Sequence, residues 1–279
     1  MRCPSLSELP PPPDGKTGWP WTSEGARLPQ TRTDGGQWPL ITIVTPSYNQ
    51  GEFLEATIRS VLLQGYPNLE YIVNDGGSSD GSRDIILKYQ PWFSNWQSEP
   101  DGGQYQAIEK GFQQSSGDLL AWLNSDDLYF PWTLRVIGDA FSALPQVQWL
   151  TTAMPCQMHT EDGLLSFQHI TGYSRRAFFS QRMKKRPAFI QQEGCFWRRG
   201  LWDRAGAGFK EELNMAGDYE LWTRFWRLTD LYALNIPLGM FRYHPGQKTS
   251  SMQAYLQEAR QVSARQPKPF PFPQFCRHS

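Results

Sequence analysis

Leu119-Leu120-Ala121-Trp122-Leu123-Asn124-Ser125-Asp126-Asp127 is a run of five apolar residues, a polar turn and two adjacent carboxylates. A run this short, apolar at every position, predicts a strand buried on both faces of a sheet. The carboxylates then fall at its C-terminal edge. In an open α/β sheet, ligands bind in the crevice beyond those edges, and paired carboxylates there suit a divalent cation that in turn holds phosphate oxygens. An isolated Asp-Asp serves equally well as a solvated turn leading into a helix at Pro131. The rest of the chain has to decide between them.

Upstream, Leu40-Ile41-Thr42-Ile43-Val44-Thr45 is a β-branched run closed by Pro46-Ser47, and Phe53, Ala56, Ile58, Val61 and Leu62 then follow near helical spacing. Leu69-Glu70-Tyr71-Ile72-Val73 repeats the strand, with Ile85, Ile86 and Tyr89 marking the next helix. A third pass runs from Trp96-Gln97-Ser98 through a Gly-rich turn to Tyr105, Ile108 and Phe112. Strands alternating with helices at this spacing predict a mostly parallel α/β sheet with right-handed crossovers. Downstream, a helix from about Pro131 to Leu144 and a strand from Val147 to Leu150 complete this half. A functional boundary is placed near residue 150, so that 39–150 form one half and 151–265 a second, less regular half. That second half contains a strand-like Gly194-Cys195-Phe196-Trp197 and a helix from about Asp218 to Leu228. Residues 1–38, with Pro10-Pro11-Pro12-Pro13, read as an extended arm that Trp19-Pro20-Trp21 makes too aromatic for a pure linker. Residues 266–279 read as a loose Pro-rich tail.

The 279 residues carry 27 Lys+Arg and 27 Asp+Glu, a formal net charge of zero, which leaves no global field to attract nucleic acid. Four cysteines lie far apart without a CxxC pair, and there is neither a secretory signal nor a glycosylation sequon, which favours a reducing cytoplasm. No apolar run approaches the roughly 20 residues needed to span a bilayer. Membrane contact is therefore expected to be peripheral at most, at the inner face. The 12 tryptophans supply flat faces on which sugar rings can stack, although most tryptophans are simply core.

A parallel sheet places three loops on one edge: Thr45, Pro46, Ser47, Tyr48 and Asn49; then Asp75, Gly76, Gly77 and Ser78; then Asn124, Ser125, Asp126 and Asp127. Glycines there let backbone approach a ligand closely, and Asp75 is a candidate acceptor for a nucleobase N–H. In the second half, Asp218 stands at the start of a helix with an apolar stripe of Leu221, Trp222, Phe225 and Trp226, where an N-cap role competes with chemistry. His244 lies in a Gly/Pro-punctuated loop and is a candidate for a metal or a phosphate, against a structural role. The basic run Arg182-Met183-Lys184-Lys185-Arg186 reads as a solvated face, with anionic lipid or a phosphorylated acceptor as the alternative. There is no GxxxxGK[ST], GxGxxG or HExxH, which argues against a P-loop NTPase, a dinucleotide dehydrogenase and a zincin.

Together these segments resemble the family 2 inverting glycosyltransferases of the GT-A fold, in particular bacterial enzymes that build surface polysaccharides. The matches are Ile43-Val44-Thr45-Pro46-Ser47-Tyr48-Asn49-Gln50, Ser60-Val61-Leu62-Leu63-Gln64, Asp75-Gly76-Gly77-Ser78-Ser79-Asp80-Gly81-Ser82, Ser98-Glu99-Pro100-Asp101-Gly102-Gly103, Leu123-Asn124-Ser125-Asp126-Asp127 and Gly217-Asp218-Tyr219-Glu220-Leu221-Trp222. They occur in the family's order over about residues 39 to 250. The resemblance implies a GT-A, Rossmann-like, mostly parallel sheet flanked by helices, with a smaller acceptor-binding half. It also implies transfer of a sugar from a nucleotide-diphosphate donor to a hydroxyl of a glycan or lipid-linked acceptor.

Carried over residue by residue, Thr45, Pro46, Ser47, Tyr48, Asp75, Gly76, Ser125 and Asp126 would hold the nucleotide sugar, with Asp75 on the base. Asp126 and Asp127 match the Asp-x-Asp-type site and, with His244, would hold Mg²⁺ or Mn²⁺. Asn124 takes the outer position, so a strict Asp-x-Asp is absent. Asp218 matches the catalytic base, and Gln192 and Trp222 fall to the acceptor side. Two competing readings are a sugar-phosphate nucleotidyltransferase, which needs a basic Gly-rich loop where Pro46–Gln50 has no basic residue, and a non-catalytic sugar-nucleotide binder.

Overall fold

In the computed structural model, which describes residues 2–161, 163–180 and 189–265, the apolar runs become the strands of one twisted sheet. Its strands are β1 (Ile41–Ser47), β2 (Leu69–Asp75), β3 (Asn95–Ser98), β4 (Leu119–Trp122), β6 (Trp149–Thr152), β9 (Phe196–Arg198) and β10 (Tyr232–Leu234), in the order β10-β6-β9-β4-β1-β2-β3. β1 is parallel to both β2 and β4, and β2 to β3; β9 alone runs against its neighbours β4 and β6. Because β9 and β10 come from beyond residue 150, the two halves expected from the sequence are built on one sheet. The central strand spans Leu119–Trp122 and is buried throughout, as a run apolar on both faces requires.

Alternation along the strands sends side chains into two cores. Ile41, Ile43, Tyr71, Val73, Leu119 and Ala121 face helices α1 (Gly51–Leu62), α2 (Ser82–Tyr89) and α4 (Thr133–Ala143). Val44, Ile72, Leu120 and Trp122 face α3 (Gln104–Gln113), α6 (Arg199–Arg204), α7 (Gly217–Leu228) and α8 (Met252–Arg265). Helix α3 lies so close to β1 that a Cβ at Gly111 would come 2.6 Å from Val44 Cγ1, which is why glycine stands there. Helix α5 (Arg175–Ser180) adds Phe178 and Phe179 to this second core.

A second, smaller sheet has no counterpart in the sequence reading. Strands β5 (Leu128–Tyr129), β7 (Cys156–His159), β8 (Leu165–Phe167) and β11 (Gly239–Tyr243) pair in the order β5-β11-β7-β8. β11 is the strand that brings His244 to the end of β4. Three of these strands are four residues or shorter and lack a clear alternation, so nothing in the local pattern announced them.

The arm is not loose. Cys3, Leu9 and Trp38 are buried, a single 3₁₀ turn forms at Leu6–Glu8, and the fully buried guanidinium of Arg59 in α1 gathers the arm's carbonyls. It donates to Pro10 O (2.8 Å), Pro20 O (3.0 Å) and Trp21 O (2.9 Å), and to Tyr89 Oη (2.9 Å). Trp19 Nε1 donates to Tyr129 O at 2.8 Å. The basic run 182–186 and the tail 266–279 lie outside the described residues. Among the described residues, no helix is long and apolar enough to cross a membrane.

Candidate active site

The loops after β1 and β2 hold each other. Asn49, with φ 50°, takes Ser78 Oγ on its backbone N–H (2.7 Å) and offers Oδ1 to Ser79 N (2.9 Å), while Gly51 N donates to Asp80 Oδ2 (2.8 Å). Asp75 anchors this knot. Its Oδ1 accepts Ser78 Oγ (2.5 Å), and its Oδ2 accepts Ser78 N (2.9 Å) and Ser98 Oγ (2.7 Å). Fully buried with both oxygens engaged, Asp75 shapes the loop in this arrangement and does not present itself to a nucleobase. Gly76 is buried, its N–H donating to Ser47 O at 2.9 Å.

The other residues expected at the donor divide clearly. Thr45 is turned into the core, its hydroxyl 3.0 Å from Tyr71 Oη, and Pro46 is buried within β1, so neither side chain reaches a ligand. Ser47 is buried with no hydrogen-bond partner on its Oγ among the described residues, a polar atom left for something else to satisfy. Tyr48 is 64% exposed and free to lie against a ring.

At the end of β4 the chain turns through Asn124, whose O accepts Asp127 N at 3.0 Å. The turn is gripped from below by Arg242 of β11. Its guanidinium donates to the carbonyl of Asp126, to Thr57 Oγ1 (2.7 Å) and to Phe53 O (3.1 Å), and lies 5.1 Å from the Phe53 ring centre. Burial pulls Arg242 down to about 10, still charged at neutral pH. The Nε and Nη2 sides of this fork go to protein, so Arg242 braces the turn that carries Asp126 and Asp127.

Asp126 and Asp127 point opposite ways. Asp127 turns inward: Oδ1 accepts Arg242 N (3.0 Å), Oδ2 accepts Asn124 Nδ2 (3.3 Å), and the residue is 1% exposed. Desolvation, then the neighbouring Glu193 and Asp126 carboxylates, push its carboxyl well above the usual range. Glu193 is buried beside it in the 3₁₀ turn Gln192–Gly194, its own carboxyl raised to about 7, first by burial, and its Oε2 has no hydrogen-bond partner among the described residues. Asp127 therefore organises the site from within, and the expectation that it ligates a metal is not what this arrangement offers.

Asp126 turns outward, its Oδ2 3.2 Å from His244 Nε2. His244 Nδ1 lies 2.9 Å from Pro245 O, the geometry of a donated N–H, which leaves Nε2 facing a carboxylate. Two such atoms side by side call for a cation between them, either a proton or a metal ion. Their spacing suits ligands of one ion at about 2 Å each. Among the described residues no cluster of three or more His, Cys, Asp and Glu side chains could hold a metal unaided, so substrate oxygens and water would complete the shell.

In the second half, Asp218 is the second residue of α7, and Ala216, not Asp218, occupies the N-cap. The preceding loop is held by Glu258 of α8, whose carboxylate accepts the N–H groups of Asn214 (3.1 Å), Met215 (2.8 Å) and Ala216 (2.9 Å). A Cβ at Gly217 would sit 2.7 Å from the Tyr105 ring, so glycine allows the helix start to press against α3. Asp218 is part-buried; its Oδ1 accepts Tyr219 N (2.7 Å), and Tyr255 Oη lies 3.5 Å from Oδ2. Desolvation pushes its carboxyl up to about 6.

Two links join the ends of the site. Gln104 donates from Nε2 to Asn124 Oδ1 (2.7 Å) and accepts Lys248 Nζ on Oε1 (2.9 Å). Glu193 feels the charge of both Asp126 and Asp218. Gln192 is buried, its Nε2 donating to Trp122 O (2.6 Å) and its Oε1 3.4 Å from Asn124 Nδ2, so it braces the turn and faces no acceptor. Trp222 is 1% exposed inside a stack with Trp122 and Trp149, a core residue and not an acceptor platform. Arg242, Glu193, Gln104, Lys248 and Glu258 were not singled out from the sequence. Only Glu193 and Arg242 carried a signal, one next to the expected Gln192 and the other two residues before His244.

The family profile described as Glycosyl transferase family 2 matches residues 42–204. An uncharacterized glycosyltransferase of Mycobacterium tuberculosis is 42% identical over 92 residues, a match covering 33% of this chain and 35% of that protein's length. Among solved structures, the mannosyltransferase PcManGT from Pyrobaculum calidifontis, in complex with GDP-Man and Mn²⁺, superposes with a TM-score of 0.61 at 18% identity. That superposition covers 84% of this chain and 66% of that one. S. aureus TarS 1-349 in complex with UDP-GlcNAc gives a TM-score of 0.58 at 18% identity, covering 76% and 61%. The likeness shows the fold, and with it the GT-A architecture expected from the motifs.

Proposed function

The chain belongs to glycosyltransferase family 2, and from that premise we propose an inverting transfer of a sugar from a nucleotide-diphosphate donor to a hydroxyl of a glycan or lipid-linked acceptor. One observation carries this reading. The outward Asp126–His244 pair and the raised carboxyl of Asp218 are linked by Gln104, which bonds both Asn124 and Lys248, and by the Lys248 charge beside Asp218.

Asp218 is the base. A carboxyl at about 6 is ionised at neutral pH and yet a stronger proton acceptor than an ordinary aspartate. It takes the proton of the acceptor hydroxyl as that oxygen attacks the anomeric carbon. The bond to the donor phosphate breaks on the opposite face, and its electron pair leaves with the nucleoside diphosphate. Asp126 and His244 are placed to hold a divalent cation against the phosphates, as the Mn²⁺ in PcManGT suggests. When bound, that cation supplies the positive charge that a departing diphosphate needs. Tyr48 and Ser47 lie on the donor side, with the backbone at Gly76. Residues 39–150 serve mainly the donor and 151–265 the acceptor and the base.

The test is a thermal-shift screen of nucleotide sugars with Mn²⁺, followed by transfer assays on the best donor. At 100 times its dissociation constant a ligand stabilises by about 2.7 kcal/mol, which EDTA should abolish for a metal-dependent donor. Donor binding that ignores EDTA would remove the metal from the reading. Binding with neither transfer nor hydrolysis would leave a sugar-nucleotide binder.

A further inference from the structure

Lys248 opens the 3₁₀ turn Lys248–Ser251 that follows β11, and it reaches back over the crevice. Its Nζ lies 5.2 Å from the Tyr105 ring centre and donates to Gln104 Oε1 at 2.9 Å. Through Gln104 and Asn124 it is one side chain away from the turn carrying Asp126 and Asp127. Its acidic neighbours on the other side are Glu258 and Asp218. Neither neutralises it by direct contact: Glu258 is engaged by three backbone amides, and Asp218 by Tyr219 and Tyr255.

We infer that Lys248 binds the donor, its ammonium taking the phosphate next to the sugar, between Asp126 and Asp218. The inference rests on the donor reading just proposed. An ammonium has three N–H donors, and among the described residues one of them goes to a neutral amide oxygen and no other protein acceptor is in place. The buried cation of the crevice, Arg242, directs its Nε and Nη2 to carbonyls and Thr57. A diphosphate arriving beside Asp126 and Asp218 meets negative charge on both sides, and Lys248 is a side chain placed to offset it. The negative charge that grows on the departing phosphate strengthens the same contact. A solvated surface lysine would have no reason to lie on Tyr105 with Gln104 fixing its height. A lysine serving an anionic acceptor would have no reason to be tied, through Gln104, to the turn of β4.

The experiment is calorimetric titration of the parent, K248M and K248R with UDP, GDP and dTDP and with the matching monophosphates, all with Mn²⁺. Melting temperatures are taken alongside. K248M should weaken the best diphosphate by about ten- to a hundredfold, the usual worth of a hydrogen bond to a charged group. The monophosphate should change little, and K248R should recover most of the loss, because charge and reach are kept. Should K248M melt early, K248R against K248Q makes the same comparison with a smaller change of shape. Lys248 is excluded by K248M binding the diphosphate as tightly as the parent or by equal losses for mono- and diphosphate. If the parent binds no nucleoside diphosphate with Mn²⁺, the donor reading itself is wrong and Lys248 goes with it.

Discussion

Trp122 ends strand β4, and the residues just beyond it open the carboxylate crevice, so two unlike buried regions meet within five residues. On one side Trp122, Trp149, Trp197, Trp222 and Phe225 pack at ring-centre distances of 5.1 to 5.9 Å. The indole N–H groups of Trp149, Trp197, Trp222 and Trp226 find no acceptor among the described residues. Each costs about 1 to 3 kcal/mol, while a buried indole of about 200 Å² gains roughly 5 kcal/mol, so burial wins without polar complementarity. On the other side Arg242 meets carbonyls and Asp127 meets Arg242 and Asn124, while the buried Glu193 Oε2, which has no partner among the described residues, belongs to a carboxyl raised to about 7. The stack tolerates unmet N–H groups because its stabilisation is spread over area. The crevice cannot, because an unpaired charge there costs more than any ring contributes.

Mutations should therefore separate into those that stop chemistry and those that stop folding. The largest effect on rate is expected from Asp218→Asn, which keeps size and shape but cannot take a proton. Transfer should fall by about 10² to 10⁴, or roughly 3 to 5 kcal/mol of barrier, with melting temperature and donor affinity nearly unchanged. Transfer within a few-fold of the parent would leave the base unassigned. Trp222→Ala should do the opposite, costing about 3 to 5 kcal/mol in denaturant unfolding through loss of area and a cavity. A small loss of stability with a large loss of transfer would mean that Trp222 does serve the acceptor.

Glu258→Ala joins the two regions, because it frees the three amides ahead of α7. Chemical unfolding should register about 1 to 3 kcal/mol, and transfer should drop by more than the stability alone explains as Asp218 loses its setting. The mildest expected effect is on pH. Asp218 at about 6 and Glu193 at about 7 both bind protons more tightly folded than unfolded. Their contribution to stability is full below the unfolded values and is lost as pH rises through about 6 to 7, opposite to the usual carboxylate. kcat/KM should rise over the same range as Asp218 ionises. Unfolding curves at pH 5 and 8, compared between the parent and E193Q, check the sign, since the variant should flatten the fall.

The half up to residue 150 was legible because its signals are local. In β1, β2 and β4 each apolar run sits next to the loop it delivers, so the strand–loop–helix rhythm that reveals the fold also points to Ser47, Tyr48 and Asp126 as candidates on one sheet edge. Facing was not legible: Thr45 and Asp127 belong to the right loops, but their side chains turn inward. The second half was harder. Glu193, Lys248 and Glu258 acquire meaning from partners 66, 144 and 44 residues away, or comparably distant, and β11 finds β5 and β7 without a pattern of its own. Trp222 shows the converse error, since a tryptophan close to the proposed base looks like a sugar platform until its neighbours prove to be other tryptophans.

The arm gathered by Arg59 also carries an implication for how the chain is made. Synthesis runs from the N-terminus, so the carbonyls of Pro10, Pro20 and Trp21 exist before their clamp at residue 59, and Trp19 waits for Tyr129, 110 residues later. Loop closures of that length are slow, and they gain little until the helix that carries Arg59 has been seated on its sheet. The arm is thus made before its partners and is among the last parts of this fold to find its place, and until it does, the Arg59 guanidinium lacks the carbonyls that satisfy it.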